Sequence, residues 1–196
     1  MLHMKEIRLH GRGGQGTVLA SQILVSAAVR EGKYGNAIPF FGFERRGAPL
    51  AAFVRFDEKR IREKTQIYTP DCVVVMDPTL VHASNVFDGL QEGGAVVLND
   101  RKMPEEAKLP TTVGRLGVVD ATGIALEVLG TPITNTPMLG AFVATTSWIG
   151  LEALLSALQE MMRGKQADAN ARAALLGYER TRVLDMQPGR AEAHLL

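Results

Sequence analysis

The order of apolar and polar positions along the chain predicts strands that alternate with helices. Residues 5–10 alternate enough to form a strand, and after a glycine cluster the apolar positions of residues 18–32 recur with helical spacing. Continuous apolar runs, which are typical of strands covered on both faces, predict further strands. These runs are residues 50–56, 72–76, 95–99 and 116–120.

The intervening stretches predict helices. They cover residues 79–90, 123–129, 137–162 with Gly150 as a point of interruption, and 167–184. Because strands and helices alternate, we expect an α/β fold. Its predicted architecture is a Rossmann-like open, mostly parallel sheet with helices on both faces.

Two segments show no periodicity. Residues 34–49, rich in glycine and proline, predict a long irregular loop, and loops of this length often carry function. Residues 187–196 contain Pro188 and Gly189 and predict a tail that only a partner would hold in place. We therefore expect one domain over residues 1–186, followed by this tail.

The bulk composition excludes several classes of function. With 196 residues and 46% hydrophobic content the chain can fill one core, and 22 basic against 21 acidic residues favour neither nucleic acid nor an anionic membrane as partner. No apolar stretch approaches the ~20 residues that cross a bilayer, and the first ten residues lack the apolar core of a signal peptide. We predict a cytoplasmic protein.

The side chains that usually carry catalysis or bind metals are sparse. The single cysteine, Cys72, begins an apolar run and predicts a buried, inert thiol. One cysteine can hold neither an iron–sulfur cluster nor a thiolate zinc site, so we expect no metal on this chain. The chain lacks G-x-S-x-G and H-E-x-x-H patterns, and His10 has no recognisable partner, so we predict no catalytic residue.

A glycine-rich segment marks the candidate binding site. The sequence GRGGQGT, Gly11–Thr17, has the G-x-G-x-x-G spacing between a predicted strand and a predicted helix. Such a loop turns tightly and presents free N–H groups to a phosphate at the positive end of the helix dipole. The alternative is a purely structural turn into a closely packed helix.

The surroundings of this loop do not match two common nucleotide sites. A P-loop requires lysine after the last glycine, where this chain has Thr17. An NAD site requires a strand that ends in an acidic residue about 20 residues further on. Glu31 instead falls at the end of the predicted helix, so the partner of the ribose hydroxyls is not evident.

Two aspartates follow predicted strands. Asp77 and Asp120 would lie at the carboxyl edge of the sheet, where open α/β folds bind ligands. An aspartate before a proline or a helix is more often a turn or N-cap residue, and we interpret both in that way first.

Three segments together resemble a known family. GRGGQGT, PFFGFERRGAP at 39–49 and ITNTPMLGAF at 133–142 are similar to the gamma subunit of pyruvate and related 2-oxoacid:ferredoxin oxidoreductases. The resemblance covers roughly residues 4–185, and ERRGAP is its most specific part.

The resemblance implies a division of labour among several chains. The gamma chain would work with an alpha chain, a beta chain that binds thiamine diphosphate and Mg²⁺, and a ferredoxin-like delta chain that holds [4Fe-4S] clusters. The complex would convert a 2-oxoacid and coenzyme A to acyl-CoA, CO₂ and reduced ferredoxin. Pyruvate is the expected substrate. Phe41 and Phe43 are bulkier than usual for this segment, so an aromatic or branched-chain 2-oxoacid, such as phenylglyoxylate or ketoisovalerate, remains an alternative.

The resemblance also implies that coenzyme A lies near the glycine loop. Arg45 and Arg46 could clamp a phosphate or carboxylate, or form intersubunit salt bridges with Glu44. Asn135 could cap a helix or face the ligand. The predicted coenzyme A-binding residues are Gly11, Arg12, Gly13, Gly14, Gln15, Gly16, Thr17, Arg45, Arg46 and Asn135. A stand-alone Rossmann nucleotide-binding protein or small dehydrogenase is the alternative from another functional class.

Overall fold

A single seven-stranded sheet forms the centre of the computed structural model, which describes residues 4–40, 47–105 and 108–186. Its strand order is β2-β3-β1-β4-β5-β6-β7. The strands are β1 (Lys5–Arg12), β2 (Tyr34–Phe40), β3 (Pro49–Asp57), β4 (Cys72–Val75), β5 (Gly94–Asn99), β6 (Val113–Val119) and β7 (Arg182–Asp185).

Most strands of the sheet run in one direction. The neighbours β1, β4, β5 and β6 are parallel. Strand β3 is antiparallel to both β1 and β2, so β2 runs in the same direction as β1, and only β3 and β7 run the other way among these seven strands. The predicted α/β fold with an open, mostly parallel sheet is confirmed.

The helices lie on both faces of the sheet but unequally. The helices are α1 (Thr17–Arg30), α2 (Leu80–Ala83), α3 (Ala121–Leu129), α4 (Asn135–Thr146), α5 (Leu151–Met161) and α6 (Gly164–Arg180). All except α2 pack with Ile7, Leu9 and Val74 into one core, and we call this side the helix face. On the other side, the loop face, Val73 and Val75 pack against α2 and the segments that follow it.

Buried arginines attach the covering segments to the loop face. Arg8 is only 8% exposed. Its guanidinium donates to the carbonyl oxygens of Ile67 (3.4 Å), Val86 (3.0 Å) and Asp88. Arg55 donates to Glu6 at 2.7 Å and to backbone carbonyls in the segment before β4. Hydrogen bonds from charged donors thus help to hold the covering segments against the sheet on the loop face, as helix packing does on the helix face.

The predicted loop over residues 34–49 is wrong in its first half. Residues 34–40 form β2, which pairs with β3 from Tyr34 opposite Asp57 to Phe40 opposite Ala51. Proline and glycine hid this strand, but an edge strand tolerates a proline whose missing N–H would face outward. Residues 41–46 lie outside the described part of the chain.

Two predicted helices end earlier than expected, and a third is interrupted near Gly150 as the sequence indicated. The helix predicted over residues 79–90 ends at Ala83, and residues beyond it form turns, although Val86 and Leu90 remain buried. The stretch 137–162 is divided into α4 and α5, with Ser147 in the left-handed conformation between them. The predicted helix over residues 167–184 ends at Arg180, because the chain then forms β7 against β6. The tail 187–196 lies outside the described residues, so its separation from a domain at 1–186 stays a prediction.

The single thiol is sequestered. Cys72 is fully buried in β4, and burial raises the pKa of its thiol far above its ordinary value, as expected for an inert cysteine. None of the helices in the described ranges is long and apolar enough to cross a bilayer.

Candidate functional site

The glycine loop lies at the point where the connections of the sheet diverge. Strand β1 leads through α1 toward β2 on one side, whereas the neighbouring strand β4 leads through α2 to β5 on the other. In open α/β sheets the carboxyl ends of two such strands form a crevice in which ligands bind. The residues between β1 and α1 therefore lie at the edge where a ligand is expected.

The glycines of the loop serve different purposes. A Cβ atom added to Gly11 would lie 2.1 Å from Thr17 Oγ1, and one added to Gly16 would lie 2.5 Å from Asn135 Nδ2. These two positions require glycine for close packing. Gly14 has φ of 96°, and an added Cβ would meet nothing within 4 Å. Its backbone is therefore both left-handed and open to an approaching group.

The first turn of α1 is left without a side-chain cap. The N-cap residue Gly16 has the left-handed conformation and no side chain to cap the helix, and the first turn contains no acidic residue. Helix N-termini expose N–H groups and carry a partial positive charge. The turn therefore offers an anion both hydrogen-bond donors and a favourable potential.

Asp77 holds the loop from the neighbouring strand end. Its Oδ2 accepts hydrogen bonds from Gln15 Nε2 at 2.9 Å and from Arg12 Nε at 3.2 Å. Burial alone would raise the pKa of Asp77, but hydrogen bonds from Thr79 and Gln15 and the charge of Arg12 lower it below its ordinary value. Asp77 is thus an ionised anchor for the loop as well as the turn residue expected from the sequence.

The donors of Arg12 are occupied. Besides Asp77, its guanidinium donates to Thr79 Oγ1 at 2.7 Å and to the carbonyl of Gly47 at 3.2 Å. Gly47 N in turn donates to the carbonyl of Gly13 at 3.2 Å, and Gly13 N donates to Ala48 O at 3.0 Å. The end of the predicted ERRGAP segment therefore contacts the glycine loop. Arg45 and Arg46 themselves lie outside the described residues.

Asn135 is brought to the loop from far along the chain. It is only 3% exposed, and its Oδ1 accepts a hydrogen bond from Thr136 N at 2.9 Å. Its Nδ2 lies beside Gly16 and makes no hydrogen bond within the described ranges. Asn135 is the first residue of α4, after the N-cap residue Thr134, and its Oδ1 thus satisfies one N–H of the first turn. The structure places the other end of this amide next to the glycine loop.

Thr17 and His10 face inward in this conformation. Thr17 is buried, and its hydroxyl lies 3.6 Å from Met76 Sδ. Burial, and secondarily the charge of Arg8, lower the pKa of His10 to about 4, and its Nε2 accepts a hydrogen bond from Arg8 at 3.0 Å. His10 is therefore neutral at pH 7 and acts as a hydrogen-bond acceptor.

Sequence reasoning missed the partners of Asp77, and it missed Asn99. Asn99 ends β5 and donates to the carbonyl of Met76 at 2.8 Å and to Thr122 Oγ1 at 2.9 Å. An aspartate or asparagine directly after a buried strand was a visible signal. The contacts of Asp77 join segments up to 65 residues apart, in the case of Arg12, which no local pattern encodes.

A separate cavity of about 310 Å³ lies at the carboxyl end of β6, two strands beyond β4. Its charged side chains are paired with one another, Arg101 with Asp120 at 3.2 Å and Arg180 with Glu127 at 2.7 Å. Within the described part of the chain, no group of His, Cys, Asp and Glu side chains is arranged to hold a metal ion. The glycine loop is therefore the better supported candidate site.

Comparison with known proteins identifies the family and agrees with the fold. Residues 6–180 match the family described as pyruvate ferredoxin/flavodoxin oxidoreductase. The common gamma subunit of the pyruvate/ketoisovalerate oxidoreductases of Thermococcus kodakarensis is 53% identical over 185 residues, which cover 93% of this chain and 100% of the relative. The gamma subunit of the NADH-dependent phenylglyoxylate dehydrogenase of Aromatoleum evansii is 50% identical over 157 residues, or 80% of this chain and 83% of the relative.

A solved structure extends the similarity to three dimensions. The pyruvate oxidoreductase subunit PORC of Thermotoga maritima has a TM-score of 0.79 and 39% identity, with 94% of this chain and 100% of that chain covered. These likenesses span nearly the whole chain and agree with the resemblance carried by its three motifs. The chain therefore belongs to the pyruvate ferredoxin/flavodoxin oxidoreductase family and is a gamma subunit of a multisubunit oxidoreductase.

Proposed function

We propose that this gamma subunit contributes coenzyme A binding and scaffolding to a complex that oxidises pyruvate. The complex converts pyruvate and coenzyme A to acyl-CoA, CO₂ and reduced ferredoxin. The observation that carries the proposal is the open side of Gly14 beside the uncapped first turn of α1. Coenzyme A carries phosphate groups, and phosphates bind well at such a helix N-terminus.

The other side chains around the loop fit the same ligand. Asn135 Nδ2 lies beside Gly16 on a residue that is only 3% exposed, and a neutral amide can donate a hydrogen bond to a phosphate oxygen. Arg45 and Arg46 join the described chain at Gly47, which contacts Gly13. In the proposal Arg45 and Arg46 supply the positive charge that the phosphate groups need, because the charge of Arg12 is paired with Asp77.

The remaining chemistry belongs to partner chains in this proposal. An alpha subunit, a beta subunit with thiamine diphosphate and Mg²⁺, and a ferredoxin-like delta subunit with [4Fe-4S] clusters complete the complex, and a ferredoxin accepts the electrons. Thiamine diphosphate supplies the carbanion chemistry of decarboxylation when bound. A cytoplasmic location stays a prediction.

The isolated chain should show no 2-oxoacid oxidation with any acceptor. The expectation follows from its role as a binding subunit, since the groups that react with the 2-oxoacid lie on other chains. Measurable turnover by the purified gamma chain alone would contradict this division of labour.

Pyruvate is proposed as the substrate because it occurs in the names of both a relative at 53% identity and a solved structure at 39% identity. A second candidate is an aromatic 2-oxoacid. It is favoured by the bulky Phe41 and Phe43 and by the relative from a phenylglyoxylate dehydrogenase at 50% identity. Rates of the native complex with pyruvate, ketoisovalerate and phenylglyoxylate distinguish these candidates.

The binding role is tested by Gly14→Val in the assembled complex. A β-branched side chain disfavours the φ of 96° and occupies the open space at the turn. Loss of one or two hydrogen bonds to a charged phosphate should raise the KM for coenzyme A about tenfold. The KM for the 2-oxoacid should stay near its original value.

Gly32→Val is the matched control. Gly32 follows the other end of α1, has φ of 76°, and an added Cβ would also meet nothing within 4 Å. It therefore carries a comparable backbone strain without a ligand nearby. Gel filtration should verify that both variants assemble. If the two variants respond identically to coenzyme A, the loop is only a packing turn.

A further inference from the structure

The carboxylate of Asp77 joins three segments of the chain. Its Oδ2 accepts from Gln15 Nε2 at 2.9 Å and from Arg12 Nε at 3.2 Å. Its Oδ1 accepts from Thr79 N at 2.9 Å and from the Thr79 hydroxyl. Four donors thus use the hydrogen-bonding capacity of this carboxylate.

These bonds determine the shape of the glycine loop. The amide of Gln15 is held at both ends, because its Oε1 accepts from the backbone N–H of Arg12 at 2.8 Å while its Nε2 donates to Asp77. Arg12 extends the connection to the carbonyl of Gly47, whose N–H donates to the carbonyl of Gly13 at 3.2 Å. Asp77 and Arg12 therefore connect the glycine loop and Gly47 to the end of β4.

Asp77 itself is unsuited to contact an anionic ligand. Its charge would repel a phosphate, and Arg12 at 3.2 Å compensates that charge within the protein. Its effect on binding would come from holding the loop in shape before the ligand arrives. A loop that is ordered in advance loses less conformational entropy on binding.

We infer that Asp77 is a positioning residue that holds the glycine loop, through Gln15 and Arg12, in the shape that receives coenzyme A. The inference rests on the function proposed above. It goes beyond the role of Asp77 as a turn residue, since that role involves only Thr79 and the start of α2.

Asp77→Asn separates these two roles. Asparagine serves as well as aspartate in turns and caps, and its single side-chain oxygen can still accept from Thr79. Its NH₂ group cannot accept from Gln15 or Arg12. The substitution therefore keeps the turn and removes the attachment of the loop.

The primary measurement is made on the purified, assembled complex. Asp77→Asn should raise the KM for coenzyme A about five- to tenfold, since two hydrogen bonds that involve a charged group are lost. The kcat and the KM for the 2-oxoacid should change less than about twofold, because the ligand itself loses no contact. In the complex without ligand, amide hydrogen exchange within residues 12–18 should become faster.

Asp120→Asn is the matched control. Asp120 also follows a parallel strand and accepts from Gly123 N at 2.7 Å to cap α3, but it lies at β6, away from the glycine loop. This variant should leave both KM values and the exchange of residues 12–18 unchanged.

The outcomes distinguish the inference from the proposed function. If Gly14→Val raises the KM for coenzyme A and Asp77→Asn does not, the site stands and the positioning role is overturned. If neither variant changes it, coenzyme A does not use this loop and both ideas fail. Two other results also overturn the positioning role. A lower KM for coenzyme A in Asp77→Asn would show that repulsion between Asp77 and the ligand dominates. An equal increase in both KM values would show that Asp77 supports assembly of the complex.

Discussion

The two sides of β1 are stabilised in different ways. On the helix face Ile7 and Leu9 are fully buried among apolar side chains of α1, α4 and α5. On the loop face the alternate positions are Arg8, His10 and Arg12. Arg8 donates to His10 and to later segments of the chain, and Arg12 donates to Asp77. Because successive side chains of a strand point to opposite faces of the sheet, β1 contributes to both the helix face and the loop face.

The difference explains where the candidate site lies. Apolar burial stabilises the helix face without directional contacts and without dependence on pH. The loop face depends on specific donors and acceptors, and their directional hydrogen bonds fix the positions of its segments relative to each other. Arg12 ends this polar row and is bonded to Asp77. The glycine loop is thus supported by packing from one side and held by oriented hydrogen bonds from the other.

The largest loss of stability is expected from the helix face. Phe142 is fully buried, and its ring makes edge contacts with Phe56 and Trp148 at centroid distances of 6.5 and 6.0 Å. Phe142→Ala should lower the free energy of unfolding by about 3–5 kcal/mol, because it leaves a cavity in a close-packed core. Urea denaturation of the purified chain measures this value. Tyr68→Ala, at a residue that is 73% exposed, should change it little.

A somewhat smaller loss is expected from the loop face. Arg8→Met removes the donors of the Ile67, Val86 and Asp88 carbonyls and should lower the free energy of unfolding by about 2–4 kcal/mol. Arg180→Met is the control, because Arg180 forms a solvent-exposed pair with Glu127 whose loss should change stability little. Equal losses in the two variants would remove the distinction between buried anchors and surface pairs.

The smallest effect is a pH dependence confined to the loop face. The folded pKa of His10 is about 4 against an ordinary value of 6.5, so the unfolded chain takes up this proton first. The neutral histidine therefore contributes its full stability above pH 6.5, loses it as the pH falls to about 4, and changes little below that. The total should be about 2–3 kcal/mol.

His10→Gln should remove this component, because glutamine can still accept from Arg8 and does not titrate. The comparison uses the difference between wild type and variant over pH 4–7, since carboxylates such as Asp77, whose pKa is lowered, add their own loss of stability in acid. His82→Gln, at an exposed position in α2, is the control. A wild-type curve that stays parallel to the His10→Gln curve would show that His10 is not held neutral by the fold.

Much of the fold could be predicted from local pattern. Strand β1 was visible as an alternating stretch, strands β3, β4, β5 and β6 as apolar runs, and α1 as a periodic stretch, because their side chains face a core on both sides or along one stripe. The edge strands β2 and β7 were missed. Their residues are exposed or only half-buried, and β2 also includes glycine and proline, so their strand character comes from pairing with a neighbour.

The candidate site was predictable only in its backbone. The spacing of Gly11, Gly13 and Gly16 and their place between a strand and a helix follow from the local chemistry of tight turns. The different roles of the individual glycines could not be predicted. Gly16 has no room for a side chain because Asn135 lies against it, whereas Gly14 faces open space, and this difference depends on where α4 packs.

The sequence by itself determined the α/β class, the glycine turn at the N-terminus of α1 and, through its motifs, the oxidoreductase family, because each is encoded in short or ordered runs of residues. Only the tertiary structure decided that Asp77 accepts hydrogen bonds from Gln15 and Arg12, and that Arg8 is buried and His10 half-buried on the loop face. Those contacts join residues as far as 80 positions apart, as between Arg8 and Asp88. Their geometry exists only once the parallel strands align and bring distant strand ends to one edge.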